Sequence, residues 1–110
     1  MRDDRERLLD IAEAIDRIER HVADGGVAFE RDELVQTWVV HNLQIIGEAV
    51  RAISPELRAE YPDVSWSRIT GMRNILVHGY FAVDVNLVRT VFIRDIPELK
   101  KQVAEILSQI

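Results

Sequence analysis

Residues 73 to 80 read "RNILVHGY". Arg73, Asn74, His78 and Tyr80 are set there among aliphatics. An arginine can neutralise a phosphate, and a histidine can move a proton near neutral pH. An asparagine can orient a bound group through both ends of its amide. A tyrosine can pack its ring and leave its hydroxyl reachable. Such a set could do chemistry on a bound group. Taken singly, each residue has a plainer role: a lone histidine is by default structural, and a tyrosine is by default a packing residue.

The surrounding charge pattern sharpens the question. The chain holds nineteen Asp and Glu in 110 residues and a formal net charge of −5. That excludes a broadly basic surface of the kind that binds nucleic acid unselectively. Yet no acid falls between Val64 and Val83, a window that contains Arg68, Arg73 and His78. A local cationic site in an acidic protein suits a phosphate gripped at one place. A buried helix that simply lacks charge accounts for the same window.

On a helix at about 100° per residue, Ser67, Thr70, Gly71, Asn74 and His78 form one polar stripe. Asn74 and His78 stand one turn apart and can share a ligand. Ile69, Met72 and Leu76 take the other side. Arg73 lies roughly 120° from the stripe, near Trp66 and Val77. It either snorkels, pairs with an acid such as Glu48, or reaches into a cleft; spacing does not choose. If Arg73 and His78 act together, the helix loosens near His78 or a second subunit closes the site. His78 falls at a helix end, where the dipole favours an imidazolium. His21 and His41 read as structural. His41 and Glu48 share a helix seven residues apart, but without a third ligand they suggest no metal site.

The elements that must position these groups are helices. Leu8, Ile11, Ile15, Ile18 and Val22 alternate steps of three and four, which predicts an amphipathic helix from about Asp3 to Ala23. Gly25 and Gly26 end it, and a loop continues to about Arg31. Asp32 caps a second helix, "ELVQTWVVHNLQIIGEAVRAI", apolar on nearly every face; it is either central or at a dimer interface. Ser54-Pro55 starts a short helix to about Glu60. Ser65 caps the helix that carries Arg73, and Gly79 closes it. Asp84 caps a helix to about Arg94. Asp95-Ile96-Pro97 starts the last one, where Ile96, Leu99, Val103, Ile106 and Ile110 repeat the first helix's stripe. The two ends of the chain are expected to pair. The class is all-α, one domain over residues 1–110, a bundle of about five helices.

The chain has no cysteine, hence no disulfide and no thiolate metal site. Neither a signal peptide nor a span-length apolar run is evident. A cytoplasmic protein is expected.

"LQIIGEAVRAIS", "YPDVSWSRITGMRNILVHGYF" and "DIPELKKQV" stand in this order, with Arg, four residues, His, one residue, Tyr inside the second. From Leu8 to about Val103 the chain resembles the HepT family of HEPN-domain proteins. The resemblance implies an all-α homodimer and a ribonuclease toxin of a type VII-like toxin–antitoxin pair. Its partner would be an MntA-like minimal nucleotidyltransferase, and its substrate RNA, with tRNA the expected class. Arg73 and His78 would be the catalytic pair. Asn74, Arg68 and Glu48 would support them or bind substrate. Tyr80 would accept AMP from the partner, which silences the toxin. Neither a cofactor nor a metal is implied. The competing reading is a HEPN dimer that binds nucleotide or the nucleotidyltransferase without cutting RNA.

Overall fold

A computed structural model of the chain describes residues 3–77 and 84–110, the side chains of residues 72–77 excepted. The described residues form helices and connecting turns, with no strand among them.

Helix α1 (Asp4–Val22) starts at Asp3, whose carboxylate accepts the Glu6 N–H at 2.9 Å. Its stripe of Leu8, Ile11, Ile15 and Ile18 is buried, joined by Ala14. The predicted stop at Gly25 and Gly26 holds, since both adopt positive φ, 77° and 88°. The predicted loop to Arg31 does not. Val27–Arg31 form a short helix, α2. Asp24 explains it: its carboxylate accepts the N–H groups of Gly26, Val27 and Ala28 at 3.0 to 3.1 Å. Those are donors that a helix start leaves without partners. Phe29 then anchors α2 by packing edge-on against Phe92, ring centroids 5.0 Å apart.

Helix α3 (Glu33–Ala52) is capped by Asp32, which accepts the Leu34 N–H at 2.9 Å. It packs against α1, α2 and α5 (Trp66–Val77), and so is the central helix of the chain. Val39, Leu43, Ile46 and Val50 are fully buried. Each contributes about 1.5–3 kcal/mol of apolar transfer energy. The all-round apolar pattern overstates this burial, because Leu34 is 80% exposed and Trp38 36%.

Ser54 begins α4 (Pro55–Glu60) as expected, its hydroxyl accepting the Leu57 N–H at 3.2 Å. The same hydroxyl donates to Asp4, and the Ser54 N–H reaches that carboxylate too, at 2.9 Å. The entry to α4 is thereby tied to the first turn of α1. Helix α5 follows, with the Ile69 N–H on the Ser65 carbonyl and the Trp66 indole N–H on the Tyr61 carbonyl. Gly79, the expected stop for α5, lies outside the described residues.

The C-terminal third corrects one boundary. Asp84 caps α6 (Val85–Thr90) through the Leu87 N–H. From there the chain runs through a π-helical turn, Val91–Asp95, straight into α7 (Ile96–Gln109). Asp95 caps nothing with its side chain and has helical dihedrals. The cause is Pro97, whose ring would collide with a carbonyl four residues back and which offers no N–H. A wider turn, in which the Ile96 N–H reaches the Val91 carbonyl five residues back, accommodates it without breaking the helix. The expected pairing of chain ends holds: α7 lies on α1, and Lys100 meets Glu19 at 2.8 Å. Ile96, Leu99, Val103 and Ile106 are buried, whereas Ile110 is half exposed.

Candidate functional site

Helix α5 carries the sequence-derived site. Its first turns show which way it faces. Trp66 and Ile69 are buried, Ser67 is exposed, and Thr70 and Gly71 are partly so. The polar stripe therefore begins on the open side of α5, as its spacing predicts. The Thr70 hydroxyl returns to the Trp66 carbonyl at 3.0 Å. At Gly71 a Cβ would meet nothing within 4 Å among the described residues. Glycine inside a helix costs roughly 0.5–1 kcal/mol relative to alanine. Among the described residues no neighbour requires it.

Arg73 and Asn74 fall on the last part of α5, so the helix backbone holds them at its Val77 end. Their side chains, and all of His78 and Tyr80, lie outside the described residues. The contact between Arg73 and Glu48 that the sequence raised lies outside them as well.

The two supporting candidates are placed in different surroundings. Arg68 is half exposed on α5, and its guanidinium pairs with Asp95 at 3.0 Å. Asp95 is more sheltered, its side chain 17% exposed. The pair lines a cleft of about 360 Å³ between α5 and α7 that also takes in Asp63, Arg94 and Glu98. Three carboxylates against two guanidinium groups make this cleft a poor phosphate trap. Glu48 is exposed on α3, in a groove of about 550 Å³ between α1 and α3. Arg7, Asp10 and His41 share that groove. The structure brings Glu48 and His41 together there, and it sets Arg68 apart from both. Among the described residues no three metal-ligating side chains gather in one place.

One cluster escaped the sequence reading. On α3, the His41 imidazole stacks with the Trp38 indole at 5.7 Å and 27°. From α1, His21 meets the same indole edge-on at 6.0 Å, and the Arg17 guanidinium stands 6.0 Å from its centroid. The i, i+3 spacing of Trp38 and His41 and the i, i+4 spacing of Arg17 and His21 were visible. That the two pairs meet was not, because it depends on how α1 and α3 lie side by side.

The family described as ribonuclease HepT-like matches residues 11–106, a stretch that contains Arg73, Asn74, His78 and Tyr80. The chain belongs to the HepT-like ribonuclease family. A protein of Caldanaerobacter subterraneus subsp. tengcongensis, provisionally named an RNase, is 40% identical over 87 residues, covering 76% of this chain and 78% of the relative. "Probable ribonuclease HepT" of Thermococcus cleftensis is 37% identical over 102 residues, 90% of this chain and 91% of its own. A Methanocaldococcus jannaschii protein, also provisionally named an RNase, is 33% identical over 110 residues, 99% and 95% of the two chains. No solved structure matches. The family brings an enzyme class: this HepT-like chain is a ribonuclease, and its substrate is RNA. No helix among the described residues is long and apolar enough to cross a membrane.

Proposed function

We propose that this HepT-like ribonuclease is the toxin of a type VII-like toxin–antitoxin pair, a metal-independent endoribonuclease that cuts tRNA. The family match across the whole Arg73-to-Tyr80 stretch carries the reading. Cleavage without a metal uses the RNA's own 2′-hydroxyl. Its oxygen attacks the adjacent phosphorus and loses its proton to a base. The 5′-oxygen leaves with a proton from an acid, giving a cyclic 2′,3′-phosphate and a 5′-hydroxyl. The step needs a base, an acid and a cation on the phosphorane. His78 is assigned the proton transfers and Arg73 the cation, with Asn74 orienting the phosphate. Arg68 and Glu48 are assigned supporting roles, Arg68 after release from Asp95. The Arg68 side of that pair is half exposed, so an RNA phosphate can compete for its guanidinium.

One chain offers a single motif histidine. A two-fold homodimer offers two, with two arginines, around one groove. The uncrowded Gly71 on the open side of α5 supports a close approach there by a second copy. In this reading an MntA-like nucleotidyltransferase transfers AMP to the Tyr80 hydroxyl, and pyrophosphate leaves ATP. The added negative phosphate and bulk then occupy the cationic groove.

Incubation of the purified protein with tRNA tests the assignment. Arg73→Ala and His78→Ala are each expected to lower cleavage by about 10²-fold or more while the far-ultraviolet dichroism stays unchanged. Cleavage is expected to persist in EDTA. Full activity in either variant would overturn this mechanism, and a wild-type protein that leaves tRNA intact would return it to the competing reading, a HEPN dimer that binds without cutting. With the nucleotidyltransferase and ATP, mass spectrometry is expected to find AMP on Tyr80, and Tyr80→Phe is expected to escape silencing. Label on another residue, with Tyr80 unmodified, refutes that assignment.

A further inference from the structure

We propose that Trp38 and His41, flanked by Arg17 and His21, form a stacking platform for an unpaired base of the RNA. The platform is built from α1 and α3 rather than from the Arg73-to-Tyr80 stretch, and it rests on the ribonuclease reading for its ligand.

A tryptophan more than a third exposed in a chain of net charge −5 calls for a ligand, and its neighbours narrow the choice. The imidazole is stacked with the indole at 27°, and His41 is itself exposed, so a base can continue the stack on the imidazole. Single-stranded RNA is recognised chiefly by stacking its splayed bases on such rings and on guanidinium planes. The other two neighbours are basic. Arg17 pairs with Glu13 at 2.7 Å, and the His21 ring donates its Nδ1 hydrogen to the Arg17 carbonyl at 2.8 Å, which limits the freedom that ring loses when a ligand arrives.

The location fits an extended substrate. Trp38 lies in the α2-proximal half of α3, since Gln36, two residues earlier, hydrogen-bonds the Phe29 carbonyl of α2. Helix α5 begins beside Tyr61, and α6, the next described element, pairs Arg89 with Glu30 of α2. The platform thus stands at the end of the bundle where α2 meets α3 and α6.

Intrinsic fluorescence tests this directly. Trp66 is buried with its indole N–H on Tyr61, so the emission of Trp38 is the one a surface ligand changes. The full chain carrying His78→Ala, to prevent turnover, is titrated with a single-stranded oligoadenylate of about twelve nucleotides. Saturable quenching is expected, and an RNA duplex, whose base faces are covered, is expected to quench little. Adding Trp38→Ala is expected to weaken oligonucleotide binding, followed by anisotropy, about tenfold, while Trp38→Phe retains most of it. An unchanged Kd in Trp38→Ala overturns the proposal. So does loss of RNA affinity that merely follows conversion of a dimer to monomer in sedimentation, which would put a second copy on this surface beside the exposed Leu34. The parent reading is judged separately: His78-dependent cutting of tRNA upholds it whatever Trp38 does, and absence of cutting removes it while the quenching titration still decides the platform.

Discussion

Asp24 shows how much one side chain can organise. Its carboxylate takes three backbone N–H groups, with Ala28's the strongest influence, and its pKa is lowered from the ordinary 3.8. A group depressed on folding stabilises the native state fully above its unfolded value. That contribution fades as the pH falls through the folded one. Asp24→Ala is therefore expected to lower the melting temperature at neutral pH, with the gap to wild type closing as the pH drops below about 3.8. Thermal melts across that range check it; a gap independent of pH would mean the cap acts through something other than its charge. At this scale the caps on α3, α4 and α6 were legible, because Asp or Ser directly precedes each helix. Asp24 was not, since two glycines separate it from any apolar pattern and its partners lie up to four residues on. Asn42 was also silent: it is fully buried on α3, donates to the Trp38 carbonyl, and has no partner for its own carbonyl oxygen among the described residues.

Helices were readable where periodicity was long. Those of α1 and α3 came within one or two residues of their observed ends, because a stripe over five turns leaves little freedom. Two features escaped. Five-residue α2 has too few turns to show a period, and the π turn was hidden because Asp-Ile-Pro reads locally as a helix start. Helix α5 gave its polar stripe correctly as far as Gly71, but whether Arg73 turns inward depends on neighbours that spacing does not contain. Gly71→Ala separates intrachain from interchain reasons for that glycine. The described residues leave room for the methyl, so helix content is expected to hold. If a second copy comes close there, the dimer dissociation constant rises about tenfold or more, for a clash costing roughly 1–3 kcal/mol. Sedimentation equilibrium decides it, and an unchanged constant would place the two-fold axis elsewhere.

For the molecule as a whole, the all-α class and the pairing of both chain ends followed from two matching heptad-like stripes, which α1 and α7 bury against one core. Ile46 is fully buried on α3, the helix that contacts α1, α2 and α5 alike. Ile46→Ala is expected to cost about 2–5 kcal/mol in chemical denaturation. Arg73 and His78 are not core residues in this reading, so their alanine variants are expected to stay within about 1 kcal/mol of wild type. That contrast separates loss of activity from loss of fold. The Asp24 clasp also bears on how the protein ages. Asp24-Gly25 is a dipeptide prone to cyclise: the Gly25 nitrogen attacks the Asp24 side-chain carboxyl, water leaves, and the succinimide reopens largely as isoaspartate. Here the nitrogen's hydrogen is engaged with the Val22 carbonyl, while the carboxylate is ionised and held by later N–H groups. Both reactants are occupied only while the chain is folded. Isoaspartate at this bond, read by peptide mapping of stored protein, would accumulate as a chemical record of time spent unfolded.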